Sequence, residues 1–214
     1  MDVPMDTDPE RALALTYAGA RRDALAALLA LDQTLADVVR TTSQPAIGQI
    51  RLAWWDDALR KLDDAPPPAE PTLQSLASFV LPAGVPGARL AEMVEGWDVL
   101  IEEETLDDDA LGRFAERRGG RLFAAAAAML GGNVERADRA GQGWALADLM
   151  QHLEDDDARV RTGTMARRLL AGPLAGVARP LGLLALSARL DVASVPMGGP
   201  KRAARLAWFG LSGR

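Results

Sequence analysis

The chain has 214 residues, and nearly half of them are hydrophobic, which is enough for one domain with a buried core. A formal net charge of −6 argues against a nucleic-acid binder that relies on general attraction to phosphates, since such a protein needs a broad basic face. The sequence holds no cysteine and one histidine, which excludes disulfides, zinc–thiolate sites and multi-histidine metal centres.

Helical periodicity, broken by glycine and proline, runs through the first half of the chain. Thr7 or Asp8 is expected to cap the first helix, and Asp23 the second, with Gly19 between them. The expected helices are one from Pro9, a second over about 23–40, a third ending near Leu62, a short one near 72–80 and a long one over 88–104.

The second half continues in the same way. Residues 106–132 predict a helix interrupted by Gly119 and Gly120, and residues 133–160 predict one long helix with Asn133 as its cap. Shorter helical pieces follow. Because no series of alternating β-branched segments occurs, the sequence predicts an all-α fold. We expect a single domain over 1–214, with residues 1–7 disordered and 196–214 as a terminal helix and tail.

The stretch QPAIGQIRLAWWDDALRKL places two tryptophans side by side. Arg51 and Trp55 are four residues apart on a helix, so the guanidinium can lie along the indole. Trp54 and Trp55 point about 100° apart and cannot share one narrow stripe. Two interpretations stay open: the pair fills a wide gap between helices, or it walls an apolar ligand chamber with Arg51 at its rim.

The segment ADLMQHLEDDDARVR is the strongest candidate for a metal site. On one continuous helix, Asp148, His152 and Asp156 would fall within an arc of about 80°, with Asp155 near the direction of Asp148. Carboxylates in such an array suit Mg²⁺, which completes its shell with water and substrate phosphates. Without a facing cluster, the same residues are an acidic helix end.

The facing cluster should lie on the predicted helix over 23–40. Asp32 and Asp37 are five residues apart, which separates them by about 140° around the helix axis. Position 36, which would share a face with Asp32, is alanine. One half of any metal site is therefore poorly formed.

Five segments occur in order along the chain: DPERALALTYAGARRDALAALLALDQTLA, SQPAIGQIRLAWWDDAL, MVEGWDVLI, AERRGGRLFAAAAAMLGG and GWALADLMQHLEDDDARVR. Together they resemble the squalene/phytoene synthase family over residues 8 to 165. The resemblance is closest to its short bacterial and mitochondrial branch, which includes relatives of a respiratory complex I assembly factor. It implies an all-α, isoprenoid synthase-like helical bundle around an apolar chamber, shortened at the C-terminus. It also implies the chemistry of active members, which join two prenyl diphosphates head to head, using Mg²⁺ held by aspartate-rich motifs on facing helices.

The resemblance places the first motif on residues 36–40, where only Asp37 matches. The second falls on residues 150–161, where His152 replaces the first aspartate and Arg161 matches the last arginine, while Asp155 and Asp156 fill the acidic pair. The candidate metal ligands are therefore Asp37, Asp148, His152, Asp155 and Asp156, and the candidate substrate-binding residues are Arg51, Trp54, Trp55 and Arg161.

Two functions follow from these motifs. Losing one electrostatic stabiliser typically costs about 10²–10³ in rate, and several motif positions differ here. We therefore expect a weakly or non-catalytic protein that binds a prenyl or lipid ligand or a respiratory-complex assembly partner. The alternative is an active prenyl transferase that uses Mg²⁺ as cofactor. The expected location is cytoplasmic, at most peripheral to the inner membrane, with no nucleic acid as partner.

Overall fold

The computed structural model describes residues 9–213, which form helices and loops and contain no strand. The predicted all-α class is confirmed. The predicted disorder of residues 1–7 and the cap at Thr7 or Asp8 lie outside the described residues. The α-helices are α1 (Pro9–Thr16), α2 (Arg22–Arg40), α3 (Pro45–Lys61), α4 (Pro71–Ser75), α5 (Gly87–Glu102), α6 (Asp108–Phe114), α7 (Arg121–Leu130), α8 (Val134–Met150), α9 (Asp156–Leu170), α10 (Arg179–Val192) and α11 (Pro200–Ser212).

The start of α2 differs from the sequence prediction by one residue. A 3₁₀ turn, Gly19–Arg21, runs directly into α2, so Asp23 lies in the first turn instead of at the cap. Gly19 has φ +54°, in the left-handed region that favours glycine, and it turns the chain between α1 and α2. The carboxylate of Asp23 still complements the positive end of the helix dipole.

The single long helix predicted over 133–160 is wrong. Asn133 caps α8 as expected, since its Oδ1 accepts a hydrogen bond from the Arg136 N–H at 2.8 Å. However, α8 ends at Met150 and α9 begins only at Asp156. The break occurs because the side chain of Asp155 accepts from the Ala158 N–H at 2.6 Å and starts a new helix. The helical face proposed for Asp148, His152 and Asp156 therefore does not exist.

The glycines between α6 and α7 do not interrupt the helix; they widen it. Residues Ala115–Gly120 form a π-helical segment that joins α6 to α7 without leaving the helical path. A side chain at Gly119 would overlap the backbone of Gly141 in α8, and one at Gly96 in α5 would overlap the backbone of Arg118. The missing side chains let three backbones approach closely, which brings the π segment between α5 and α8.

The last helix, α11, lies against α10 and is fastened by a buried arginine. Arg202 of α11 is 1% exposed and pairs with Glu10 of α1 and Asp191 of α10, each at 2.6 Å. Phe209 packs over Gly182, where any side chain would overlap its ring. These contacts fix the terminal helix on the bundle while its opposite face stays in solvent.

Candidate functional site

The side chain of Arg118 joins α2, which carries the first motif of the resemblance, to α8, which ends where the second motif begins. Its guanidinium is bidentate to Asp32 of α2, with Nε and Nη2 each 2.9 Å from a carboxylate oxygen. The remaining nitrogen, Nη1, donates to Asp148 of α8 at 2.7 Å. Arg118 is 2% exposed and Asp32 1%, so their ion pair is shut off from water, whereas the side chain of Asp148 is partly exposed.

Aromatic rings surround the same guanidinium. Its central carbon lies 4.2 Å from the ring centre of Trp97, 5.0 Å from Trp144 and 5.5 Å from Phe114. These rings come from α5, α8 and α6 and are all buried. A cation over desolvated ring faces is held by each ring quadrupole, with a typical gain of about 2 kcal/mol where water is excluded. The centre of the bundle is thus filled by one cation, two carboxylates and three rings.

The charges of this cluster reinforce one another. Burial alone would lower the pKa of Arg118, but the carboxylates of Asp32 and Asp148 outweigh it and raise that pKa. Burial would likewise raise the pKa of Asp148, yet the charge and hydrogen bond of Arg118 hold it below the ordinary value. Both partners are therefore ionised at neutral pH, and the cluster is a permanent ion pair.

The predicted metal ligands do not come together. Asp37 lies on the outer side of α2, with its side chain 55% exposed, and pairs with Arg40 at 2.6 Å. Asp148 is engaged with Arg118. His152 is exposed, beyond the end of α8, with Nδ1 2.9 Å from the Asp148 carbonyl oxygen. Asp37, Asp148 and His152 therefore contact three different partners and do not form a common site.

The other two predicted ligands belong to the start of α9. Asp155 is the cap of that helix, and the exposed Asp156 pairs with Arg159 one turn further on. Within residues 9–213, no group of three or more His, Asp or Glu side chains is placed to hold a metal ion. The arrangement of these residues does not fit the Mg²⁺ cluster that the resemblance implied.

Of the two adjacent tryptophans, one is buried in the core and the other is exposed to solvent. Trp55 is 6% exposed and belongs to the core, whereas Trp54 is 47% exposed and meets Trp55 edge-on, with ring centres 5.2 Å apart. Arg51 does not lie along Trp55. It donates instead to the Thr42 hydroxyl at 2.8 Å and the Thr41 hydroxyl at 3.2 Å, because the C-terminal turn of α2 is within its reach.

Arg161, the fourth predicted substrate residue, fastens α9 to the loop before α6. Its Nη1 donates to the Leu106 carbonyl oxygen at 2.9 Å, and its Nε lies 3.8 Å from Asp108. None of these contacts leads toward Arg51 or the tryptophan pair. The four predicted substrate residues therefore take part in separate contacts.

Sequence reasoning missed Arg118 and its aromatic surroundings altogether. A signal did exist in α2, where Asp32 follows Leu28 by four residues and precedes Leu35 by three, inside the apolar stripe. A carboxylate in such a stripe requires a buried cation or hydrogen-bond donors. The partner could not be identified because the π segment shifts Arg118 away from the direction that an α-helical period assigns to it.

Two hollows border α11 at the other end of the chain. One, of about 670 Å³, lies between α10, α11 and the loop at residues 173–175; the other, of about 460 Å³, lies between α11 and α1. Neither is lined by a residue of α2 or α8. No helix within residues 9–213 combines the length and apolar character needed to cross a membrane.

The described residues form an all-helical bundle in which Arg118 links α2 to α8 through two carboxylates. The model of the squalene/phytoene synthase family matches residues 6–169, and the chain belongs to this family. The predicted isoprenoid synthase-like bundle is thereby confirmed. No curated protein and no solved structure matches the chain. The branch within the family stays a prediction.

Proposed function

We propose that this protein is a non-catalytic member of the squalene/phytoene synthase family that acts by binding. The observation that carries the proposal is the guanidinium of Arg118, held between Asp32 of α2 and Asp148 of α8, the helices that lead into the two motif segments. Its ligand is a prenyl- or lipid-type molecule or an assembly partner. The branch resemblance favours a partner from respiratory-complex assembly, met in the cytoplasm or at the inner membrane surface.

The chemistry of a guanidinium supports this proposal. Mg²⁺ in such sites is exchangeable, keeps several waters and binds substrate phosphates through open coordination positions. Arg118 supplies one positive charge through fixed N–H groups, and all three of its nitrogens already donate to two carboxylates. It cannot leave the site as a metal ion can, and its charge is already offset by these carboxylates.

The energetics support it as well. Opening the cluster means separating a desolvated ion pair, and removing one partner of such a pair typically costs about 3–5 kcal/mol. The predicted ligands outside the cluster offer no substitute, because Asp155 caps α9 and Asp156 is paired on the same helix. A working metal centre would have to rearrange α8, α9 and the π segment together.

The rival function is an active Mg²⁺-dependent prenyl transferase with a reorganised site. Purified protein incubated with Mg²⁺ and either farnesyl or geranylgeranyl diphosphate separates the two functions, with extracted products analysed by mass spectrometry. We expect no C30 or C40 product.

The matched variants sharpen this assay. If product forms and disappears in Asp155→Ala/Asp156→Ala but not in Asp56→Ala/Asp57→Ala, an adjacent acidic pair on α3, the protein is an enzyme and the proposal is wrong. Product that persists equally in both double variants indicates a contaminating activity. In that case the assay is repeated on protein purified by a second route, and product that still forms overturns the proposal.

A further inference from the structure

The larger hollow beside α11 is an apolar groove with a cationic rim. Its floor and walls come from Leu174, Leu186, Trp208 and Phe209, and the charged residues that line it are Arg189 and Arg205. Among the residues that the structure describes, no acidic one lines it. A volume of about 670 Å³ falls within the range of about 300–1,000 Å³ that is usual for small-molecule sites.

The two arginines of the groove have no carboxylate partner within residues 9–213. Arg205 makes no ion pair there. Arg189 donates one hydrogen bond, from Nη2 to the Gly172 carbonyl oxygen at 2.6 Å. The Nε of Arg189 is buried and has no hydrogen-bond partner. A buried donor without a partner costs free energy, so no protein acceptor offsets this part of the Arg189 side chain.

Burial lowers the pKa of Arg189, and no acidic group offsets that effect. An arginine nevertheless stays protonated at neutral pH, so the groove keeps an uncompensated positive charge. Arg136 of α8 adds a third guanidinium beside the same wall, where it donates to the Ala175 carbonyl oxygen at 2.6 Å.

We propose that the α10–α11 groove binds a single-chain anionic amphiphile, with its carboxylate or other small anionic head on Arg189 and Arg205 and its alkyl chain along Trp208 and Leu186. The arginines suit a planar two-oxygen head through paired N–H donors.

This inference rests on the proposed function, because it names a ligand class for a protein that binds. The two fail separately. Product formation from prenyl diphosphates would overturn the proposed function, whereas the titrations with dodecanoate test the groove alone. The occupants that compete with a free amphiphile are an anionic membrane surface and a second copy of the chain, and each is an outcome of the test.

Calorimetric titration with dodecanoate, kept below its micelle concentration, is the direct experiment. We expect saturable binding of one molecule per chain. Methyl dodecanoate, which has the same chain and no charge, should bind about ten- to a hundredfold more weakly, as should dodecanoate to Arg205→Gln, because a hydrogen bond to a charged group is lost. Lys201→Gln, on the same helix and outside the groove, serves as the control.

A second pair of variants tests the position of the alkyl chain. Ala204 lines this groove and Ala203 lines the smaller hollow on the opposite side of α11, and both are exposed. Ala204→Trp should therefore abolish binding by filling the groove, while Ala203→Trp should leave it unchanged. Since both substitutions lie at solvent, neither is expected to prevent folding.

Three results would overturn the proposal. The first is the absence of saturation with dodecanoate, or equal affinity for the ester. The second is binding to vesicles of phosphatidylglycerol and phosphatidylcholine without binding to dodecanoate, which would assign the groove to a membrane surface. The third is a dimer in light scattering that Ala204→Trp dissociates, which would assign it to a second copy of the chain.

Discussion

Two regions of this molecule use arginine in opposite ways. At the centre, Arg118 is enclosed by two carboxylates and aromatic rings, and each of its three nitrogens donates to a carboxylate. At the α10–α11 groove, Arg189 and Arg205 lack any carboxylate partner within residues 9–213. Carboxylate partners therefore close the centre to an anion, and the lack of such partners leaves the groove able to accept one.

The two regions also differ in whether the family match covers them. The match ends at residue 169, and the groove is lined entirely by residues between 173 and 209. The closed centre therefore lies in the part of the chain that the family shares, whereas the open groove lies beyond it. We infer that binding in this protein relies on a segment for which the family match makes no statement.

The largest effect should come from removing the central cation. Arg118→Ala leaves Asp32 buried without a partner, and we expect a loss of about 3–5 kcal/mol in the free energy of unfolding. Urea denaturation measures it. Arg117→Ala is the matched control, because its exposed pair with Glu95 should contribute about 0–1 kcal/mol. Equal losses in the two variants would mean that the centre is not a desolvated ion pair.

The next effect concerns the close approach that positions Arg118. Gly119→Ala would force a methyl group into the backbone of Gly141, and such overpacking costs about 1–3 kcal/mol. Gly112→Ala, in α6, meets no atom within 4 Å and should stabilise the protein by about 1 kcal/mol through helix propensity. Thermal unfolding of both variants checks the sign, and a neutral Gly119→Ala would contradict the tight packing.

Asp98, which follows Trp97 in α5, is the converse of Arg118: a partly buried carboxyl with no cation partner within residues 9–213. Burial and then the neighbouring Glu102 raise its pKa from 3.8 to about 6. Because the folded state holds this proton more tightly than the unfolded state, the wild type loses stability as pH rises from about 4 to about 6.

Asp98→Asn removes that loss. We expect the variant to be more stable than the wild type by about 1 kcal/mol at pH 8, since partial exposure screens the shift, and no different below pH 4. Denaturant titrations at several pH values give the difference directly. A gain that is the same at pH 4 and pH 8 would show that the carboxyl titrates normally.

The smallest effect should come from Asp37, the predicted first-motif ligand. It lies at the surface in a pair with Arg40, and such exposed pairs contribute about 0–1 kcal/mol. In urea denaturation, Asp37→Ala should therefore leave the free energy of unfolding almost unchanged. Asp32→Ala should lower it nearly as much as Arg118→Ala does. A large effect at Asp37 and a small one at Asp32 would reverse the roles that the structure assigns to them.

Much of the fold could be predicted from sequence because helical periodicity and glycine or proline breaks are local signals. The cap at Asn133 was predicted correctly for this reason. The break before Asp156 is not predicted by apolar periodicity, which continues from α8 into α9. The local signal for it is Asp155 followed by further acids, which is a usual helix start.

The site was harder to predict because its determinants are not local. Arg118 meets Asp32 across 86 positions, and only the π segment and the glycine contacts bring them together. Arg51 was expected on Trp55 from its spacing on the helix, but it found hydroxyl groups at the end of α2 that helical spacing does not reveal. Conversely, acids that suit a metal by residue type were used as a helix cap and in local pairs.

The most direct test of the closed centre is a calorimetric titration of the protein with inorganic pyrophosphate, with and without Mg²⁺. If the ion pairs of Arg118 close the centre to metal and diphosphate, Mg²⁺ will add no saturable binding, and Asp155→Ala/Asp156→Ala will behave as the wild type does. Saturable, Mg²⁺-dependent binding that this double variant abolishes would contradict the account.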